Sequence, residues 1–432
     1  MQRAPHITGY LTEHCGDDGY GTLSGYREHG GYATAGRALR SRSPAEIIES
    51  LRSAGLQGRG GAGFLTGQKW SFMPEPAPGR PHYLVCNADE SEPGSFKDRL
   101  LMERAPHLLL EGILIAAFAI RAEKTFLYIR GEYAGAIHSL SRAIEEARRD
   151  GVFGLRALGS DFAHDVVLVR GAGAYICGEE TGLLESLEGK RGMPRKKPPY
   201  PAEYGAFGMP TTVNNVETLC HVPHILEKGS AWFRSFGTEA SPGTTLFGLS
   251  GHIDRPGLYE LPLGTPLDEI VFEHGGGVPN GRKLKGVIPG GVSMPVLPAG
   301  QLDVRMANEF LRERQTALGT GGIIVMDETT CMVRTACAIT HFFRDESCGQ
   351  CTQCREGTGW LNRIVQRIER GDGVLGDLAI LQDICGKLEG QTICAFADAA
   401  AWPVLGLLRH FVQDFHSHIS DRCCPFSRSF EL

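Results

Sequence analysis

Three thiols recur at short, even intervals in the segment ESCGQCTQCREG, where Cys348, Cys351 and Cys354 stand three residues apart. A tight loop with thiolates at that interval can hold three corners of an iron–sulfur cubane, and a fourth cysteine normally closes it from elsewhere in the chain. The alternative is zinc, which more often takes paired CxxC or Cys/His units and would leave one of the three thiolates idle. Two downstream cysteines compete for the fourth corner. Cys385 falls in helical register with Leu378, Leu381 and Leu388, which suits a small core hydrophobe. Cys394, in QTICAFAD just ahead of Asp398, a residue able to cap the last helix, is the expected fourth ligand. Cys15, Cys220, Cys331 and Cys337 show no ligand spacing, and the adjacent Cys423 and Cys424 read as structural or incidental.

Two glycine loops offer main-chain donors. In GRGGAGF, Gly58, Gly60 and Gly63 satisfy G-x-G-x-x-G, but the loop follows a helix, whereas a dinucleotide fingerprint follows a strand and opens a helix. A loop that hugs a phosphate or ring remains open, with Arg59 and Lys69 adding positive charge, and so does a sharp helix-to-strand turn. The second loop follows the strand-like VVLVR, and a helix begins near Glu179. Gly173 and Gly178 match the glycines of a Walker A loop, yet Glu179 and Glu180 stand where Lys and Ser/Thr would hold phosphate and magnesium, which argues against an NTPase. Carboxylates there suit ribose hydroxyls or a ring edge and disfavour an extra phosphate; they also complement a helix dipole. Beyond a strand at His82 to Cys86 lie Asn87, Asp89, Glu90 and Glu92, where ligands bind in open α/β sheets. Asn214 and Asn215 add amide donors and acceptors.

The elements that must position these residues fall into three segments. Over residues 1–240, helices alternate with β-branched runs such as Phe126 to Ile129 and Val166 to Val169, the pattern of an α/β layer. Ser43, Pro44 and Glu46 read as a capped helix start running to about Ala54. Over 241–328, a hairpin, a short helix at Thr265-Pro266 and a strand suggest a β-grasp module. Over 329–432, apolar residues at Leu361, Ile364, Val365 and Ile368 and at Val404, Leu407, Leu408, Phe411 and Phe415 mark an amphipathic helical bundle.

Composition sets outer bounds. The 44 basic and 50 acidic residues leave a net charge of −6 without a long basic block, a poor match for nucleic-acid binding. The 57 glycines are about twice the usual share of roughly 7% and gather in motifs. Thirteen cysteines and an opening segment with no apolar h-region lead us to expect a reducing compartment. The most apolar run, Leu108 to Ile120, is shorter than the roughly 20 residues that span a bilayer, so no direct membrane insertion is expected.

Taken in order, GRGGAGF, CNADESEPGSFKDRLLMERAPH, GAGAYICGEET, KPPYPA with VNNVETL, ESCGQCTQC and TICAFADAAAWP closely resemble the NADH- and FMN-binding subunit of bacterial respiratory complex I, over nearly the whole chain. The resemblance implies a Rossmann-like FMN/NADH domain, a ubiquitin-like module and a four-helix bundle with one [4Fe–4S] cluster. Carried over by position, it implies FMN contacts from Gly58, Arg59, Gly60, Lys69, Asn87, Asp89, Glu90, Tyr175, Gly178, Glu179, Asn214, Asn215 and Thr218. For NADH it implies Gly61, Gly63, Phe64, Gly67, Lys69, Phe72, Glu92, Tyr175, Glu180, Lys197 and Tyr200, with the two phenylalanines as an aromatic shelf. Leu65 stands where the family usually has Pro, and Tyr200 where Phe is common.

The implied activity is NADH oxidation by hydride transfer to FMN, then single-electron transfer to the cluster on Cys348, Cys351, Cys354 and Cys394. No side-chain nucleophile or acid–base pair is called for. Implied partners are a [2Fe–2S] thioredoxin-like subunit and the large iron–sulfur subunit of complex I, with the chain peripheral on the cytoplasmic side of the bacterial inner membrane. The rival is the diaphorase subunit of a soluble NAD-linked hydrogenase or formate dehydrogenase; such subunits often carry extra N- or C-terminal domains, and length favours complex I. Glu92, Glu179 and Glu180 are expected to repel the 2′-phosphate of NADPH.

Overall fold

The computed structural model describes residues 9–426; residues 1–8 of the opening segment, read above as lacking a leader, lie outside them. Helices α1 (Leu23–Glu28), α2 (Ala33–Ser41) and α3 (Pro44–Ala54) lead to the first glycine loop and α4 (Thr66–Trp70). The start of α3 is fixed as its sequence predicts. Ser43 accepts from the Glu46 N–H, the Glu46 carboxylate accepts from the Ser43 N–H, and Gly55 ends the helix at φ +70°.

Then come β1 (His82–Ala88), α5 (Lys97–Arg104), α6 (Pro106–Ala119), β2 (Ala122–Ile129), α7 (Ala134–Arg149), β3 (Asp165–Arg170), α8 (Glu180–Leu187), β4 (Thr211–Asn215), α9 (Val216–Lys228) and α10 (Ser230–Arg234). The strands form one parallel sheet in the order β3-β2-β1-β4. Strand side chains alternate between faces. Leu84, Cys86, Ala88, Leu127, Ile129 and Val166 therefore join a core with α6 and α9. Val85, Tyr128 and Val213 point the other way and share a core with the C-terminal helices. The apolar run Leu108 to Ile120 is the helix α6, buried nearly all round, and among the described residues no helix is long and apolar enough to cross a membrane.

Strands β5 (Thr244–Gly251), β6 (Gly257–Pro262), β7 (Leu284–Ile288), β8 (Leu297–Pro298) and β9 (Gly322–Asp327) build a second sheet in the order β6-β5-β9-β7-β8, with β5 parallel to β9 and the other pairs antiparallel. This is the β-grasp order, with the last strand at the centre. The turn after Pro266 is a wide π-type turn over Glu269–His274, and α11 (Asn308–Leu311) precedes β9. Helices α12 (Met332–Glu346), α13 (Thr352–Glu369), α14 (Gly376–Leu388) and α15 (Phe396–Asp421) complete the bundle. The cap expected of Asp398 is not made: α15 starts at Phe396, and Asp398 in its first turn accepts instead from the Gly390 N–H at 2.7 Å, closing the α14–α15 turn.

Gly67 lies where α4 crosses α3, so close that an added Cβ would stand 2.6 Å from the Arg52 main-chain nitrogen. Backbone cannot step aside as a flexible side chain would. Gly67→Ala is expected to cost about 1–3 kcal/mol, the usual penalty of overpacking, and to lower the midpoint of thermal unfolding; an unchanged midpoint would show that α3 and α4 are free to separate.

Candidate functional site

A single cavity of about 1830 Å³ runs from the first glycine loop to Cys394 and takes wall residues from all three segments. Pockets for one drug-sized ligand span about 300–1,000 Å³. This one has room for two ligands side by side.

The glycine loop supplies donors. The Gly58 N–H is used by Phe64 O (2.8 Å) and the Arg59 N–H by Thr218 Oγ1 (2.8 Å), whereas among the described residues the N–H groups of Gly60, Gly61, Ala62 and Gly63 meet no protein acceptor. Gly61 at φ +108° and Gly63 at φ +67° hold the loop open in a conformation that other residues resist. Successive unpaired N–H groups of this kind make an anion-binding concavity.

Other expected contacts are placed differently. Arg59 lines the cavity, and its buried guanidinium donates to the carbonyl oxygens of Thr244, Pro242 and Gln57. Its donors brace the junction of the two sheets. The Glu90 carboxylate accepts from the Asp98 and Arg99 N–H groups at the start of α5 and from Ser95 and Tyr133, so its oxygens are occupied within the protein. Gly67 is not on the cavity wall at all; it serves the α3–α4 crossing.

The remaining expected residues are brought together on the wall. Asn87 donates to Gly178 O (2.9 Å) and so fixes the second loop against the end of β1. Asn214 Oδ1 accepts from Trp70 Nε1 (2.8 Å), which leaves its NH₂ as a donor. Asn215 caps α9 and donates to Asp98 (2.6 Å). Asp89 accepts from Ser91 through Oδ1, but its buried Oδ2 has no partner among the described residues, and burial pushes the carboxyl up to about 6. A buried orphan oxygen lining a cavity calls for a ligand donor.

Glu179 and Glu180, adjacent in sequence, do different things. Glu179 Oε2 accepts from the Thr181 and Gly182 N–H groups and caps α8. Glu180 is held between Lys69 Nζ (2.8 Å) and Lys197 Nζ (2.6 Å). Burial disfavours its charge, but the two ammonium groups outweigh it and hold the carboxyl down to about 2. Glu92 is buried and accepts from Tyr175 Oη (2.7 Å) and the Ser293 N–H (2.8 Å), and burial raises its carboxyl. The expected repulsion of a 2′-phosphate is therefore not a sum of three free carboxylates. Phe64, Phe72 and Tyr200 are about half exposed, and the two phenylalanine rings lie 6.1 Å apart as an open apolar shelf. Leu65 takes the position before α4, half exposed.

A buried ion cluster under the cavity escaped the sequence reading. Lys97 Nζ contacts Asp98 (2.9 Å) and Glu217 (2.7 Å), all three almost wholly buried. Burial opposes every charge here, yet the carboxylates hold Lys97 protonated and Lys97 keeps Glu217 ionised, while Asp98 is pushed up to about 7. The signal was present in FKDR and NNVET, but Lys, Asp and Glu at helix starts ordinarily read as a solvated face.

At the other end of the cavity Cys348 and Cys351 lie in the α12–α13 loop, Cys354 in the first turn of α13 and Cys394 just ahead of α15. Burial pushes the Cys394 thiol up to about 12, with Cys348 and Cys354 near enough to add to the shift, and Cys354 is likewise raised by burial with Cys348 and Cys351 beside it. Such thiols ionise together only against a strongly positive group. Cys385 stands apart in the core, its Sγ on Ala401 O. The four-cysteine set fits a cluster, and the donor-lined loop with the Asp89 orphan fits a phosphorylated, hydroxyl-bearing ring ligand such as FMN.

Comparison with known proteins agrees with this geometry. Family models match residues 51–224 (Nuo51 FMN-binding domain), 246–297 (SLBB domain) and 334–418 (NADH-ubiquinone oxidoreductase-F iron-sulfur binding region). The chain is 53% identical over 404 residues to the NADH-quinone oxidoreductase F subunit 2 of Rhizobium meliloti, covering 94% of this chain and 96% of that one. It belongs to the F-subunit family of NADH-quinone oxidoreductases. The F subunit of the Mycobacterium tuberculosis enzyme is 47% identical over 430 residues, covering 98% of this chain and 96% of its own. Among solved structures, an NAD⁺-reducing [NiFe]-hydrogenase in the air-oxidized state superposes with a TM-score of 0.83 at 36% identity, over 96% of this chain and 68% of that one. In this member of the F-subunit family the Rossmann-like sheet, the SLBB module and the cysteine-bearing helices correspond to the three matched regions.

The Glu180 clamp has a signature in acid. Its carboxyl is held below the ordinary 4.5, so the clamp stabilises the fold fully above that pH and the contribution is lost as pH falls toward about 2. The gap in stability between wild type and Glu180→Gln, measured by denaturant unfolding, is expected to shrink progressively over that window; a constant gap would mean that Glu180 is not ion-paired.

Proposed function

We infer that the chain is the electron-input subunit of an NADH:quinone oxidoreductase, and that its cavity brings NADH, FMN and a [4Fe–4S] cluster into one line. The observation that carries this reading is the continuity of the cavity wall from the unpaired N–H groups of Gly60–Gly63 to Cys394. FMN, when bound, takes up the two electrons of a hydride together and releases them singly, and a [4Fe–4S] cluster accepts them one at a time.

The chain's own residues bind and orient. Gly60–Gly63 hold the flavin phosphate, Asp89 and the Asn214 amide take its polar groups, and Asn87, Asn215 and Thr218 keep the surrounding loops in place. Phe64 and Phe72 supply the shelf on which the nicotinamide nucleotide stacks, with Glu92, Lys69, Lys197 and Tyr200 around it. Tyr175 links the two ends: its hydroxyl donates to Glu92, its N–H to Glu346 of α12, and its ring packs on Phe342 and Phe396. Cys348, Cys351, Cys354 and Cys394 hold the cluster. No side chain acts as nucleophile or acid–base catalyst; stacking, orientation and electrostatics do the work.

The three units divide near residues 240 and 328. Exposed apolar side chains on the bundle, Trp360, Val374, Leu375, Ile380 and Ile393, support docking of further electron carriers there, a [2Fe–2S] thioredoxin-like subunit and the large iron–sulfur subunit. The chain then sits peripherally on the cytoplasmic side of the inner membrane. The diaphorase reading draws on the hydrogenase likeness, at 36% identity against 47–53% for the NADH-quinone oxidoreductase relatives.

The test is anaerobic addition of NADH to the chain reconstituted with FMN, iron and sulfide. Flavin bleaching and a low-temperature EPR signal of a reduced cluster are expected. Cys394→Ser should keep the bleaching and lose the signal, whereas Cys385→Ala should keep both; iron without bleaching, or zinc in place of iron, would sink the reading.

Substrate choice follows from the clamp. Glu180→Gln removes the counter-charge of Lys69 and the nearer of the two carboxylates paired with Lys197, leaving the wall one charge more positive. Use of NADPH relative to NADH, as the ratio of kcat/KM values, is expected to rise about tenfold, the equivalent of one charge-assisted contact; an unchanged ratio would place the adenosine ribose away from the clamp.

A further inference from the structure

Far from the redox cavity, at the junction of α12 and the end of α15, three metal-ligating side chains converge in a buried position. Cys331 caps the N-terminus of α12, His418 lies in the last turns of α15, and Cys424 follows after the chain reverses at Arg422 in a left-handed conformation. All three are buried, and their ligand atoms lie within 4.8 Å of one another. Cys331 Sγ is 3.3 Å from His418 Nε2 and 3.7 Å from Cys424 Sγ.

We propose that Cys331, His418 and Cys424 form a structural site for one zinc ion, distinct from the iron–sulfur cluster, that staples the two ends of the helical bundle together. The edge lengths support it. A tetrahedral ion with Zn–S of about 2.3 Å and Zn–N of about 2.0–2.1 Å requires about 3.8 Å between sulfurs and about 3.5 Å between sulfur and nitrogen. Two of the three edges already have those lengths.

The surroundings are also those of a ligand set. His418 Nδ1 faces the Asp414 carbonyl at 2.7 Å, and since a carbonyl only accepts, the ring proton is on Nδ1 and the Nε2 lone pair is directed at Cys331. A main-chain acceptor on the far nitrogen is the common device that orients metal-bound histidines. The Arg334 N–H donates to Cys331 Sγ at 3.4 Å and fixes the sulfur at the start of α12; burial pushes the thiol up to about 12, so its thiolate forms only against a bound cation. The Asp414 side chain is engaged elsewhere, with Lys285 (2.6 Å) and the Met332 N–H (3.1 Å), so it holds the same helix start without competing for the ion.

Two thiolates and an imidazole in a tetrahedral arrangement select zinc over the hard divalent ions. Binding one Zn²⁺ releases the two thiol protons. The Cys331–Cys424 separation is far above the 2.05 Å of a disulfide, which is the competing fate of the pair.

The test is metal analysis of the complete, cluster-bearing protein by mass spectrometry, with zinc K-edge absorption on the same sample. About one zinc per chain is expected beside the cluster iron, with two sulfurs and at least one imidazole nitrogen around it. Cys331→Ser and His418→Gln are expected to lower zinc to below about a tenth per chain while the cluster EPR signal stays. The absorption spectrum of the wild type decides the matter even if the variants fail to fold. Absence of zinc after incubation with an equimolar amount, zinc retained in both variants, a four-sulfur zinc spectrum, or a Cys331–Cys424 disulfide in peptides from freshly isolated protein would each overturn the proposal.

Discussion

A buried ammonium group governs how the redox cavity is built. Lys97 sits between Asp98 and Glu217 with almost no contact to solvent, and Glu217 in turn accepts from Thr245 and the Leu246 N–H of β5. Removing one partner of such a cluster leaves an uncompensated charge and typically costs about 3–5 kcal/mol. That cost locks α5, α9 and the first strand of the β-grasp sheet in one relative position. Arg59, also buried and spending its donors on Gln57, Pro242 and Thr244, binds the glycine loop to the same junction. The loop that offers free N–H groups is thereby held by charges paired within the protein.

The parallel sheet supplies the rest by geometry. Its strand ends open toward the cavity at Asn87 and at Asn214 and Asn215, and the alternation of side chains sends Val85, Tyr128 and Val213 into a core shared with the bundle. One face is covered by helices of its own segment, the other by the helices that carry the four cysteines. The strand ends at the cavity and the cysteine-bearing helix ends therefore belong to one packed body, and the spacing between them is set by side-chain packing rather than by a hinge.

What the sequence displayed, and what it hid, follows from how local each feature is. The capping box at Ser43 and the helical phase of Cys385 are relations within a few residues, and the structure places both as their spacing indicates; the cysteine triplet and the glycine loops are equally local in sequence. The direction of a long or capping side chain is not such a relation. Arg59 and Glu90 carry the right charges in the right motifs, yet one braces carbonyls and the other caps α5. Gly67 and Asp398 likewise stand in suggestive positions but answer to a helix crossing and a turn. Lys97 with Glu217, and Cys331 with His418 and Cys424, are joined only by tertiary folding, and no spacing announces them.

The clamp on Glu180 shows why charge counts by type mislead in a site of this kind. Three acidic residues on one wall suggest a uniformly negative surface, but each meets a different local demand: Glu179 satisfies main-chain donors of α8, Glu92 takes the Tyr175 hydroxyl and the Ser293 N–H, and Glu180 is shared by two lysines. The field a substrate meets is what remains after these pairings; Lys197 also lies 3.5 Å from Glu179, so Lys69, Lys197, Glu179 and Glu180 form a set with equal positive and negative charge. The charge this wall presents is thus a property of the paired set and is not given by counting carboxylates.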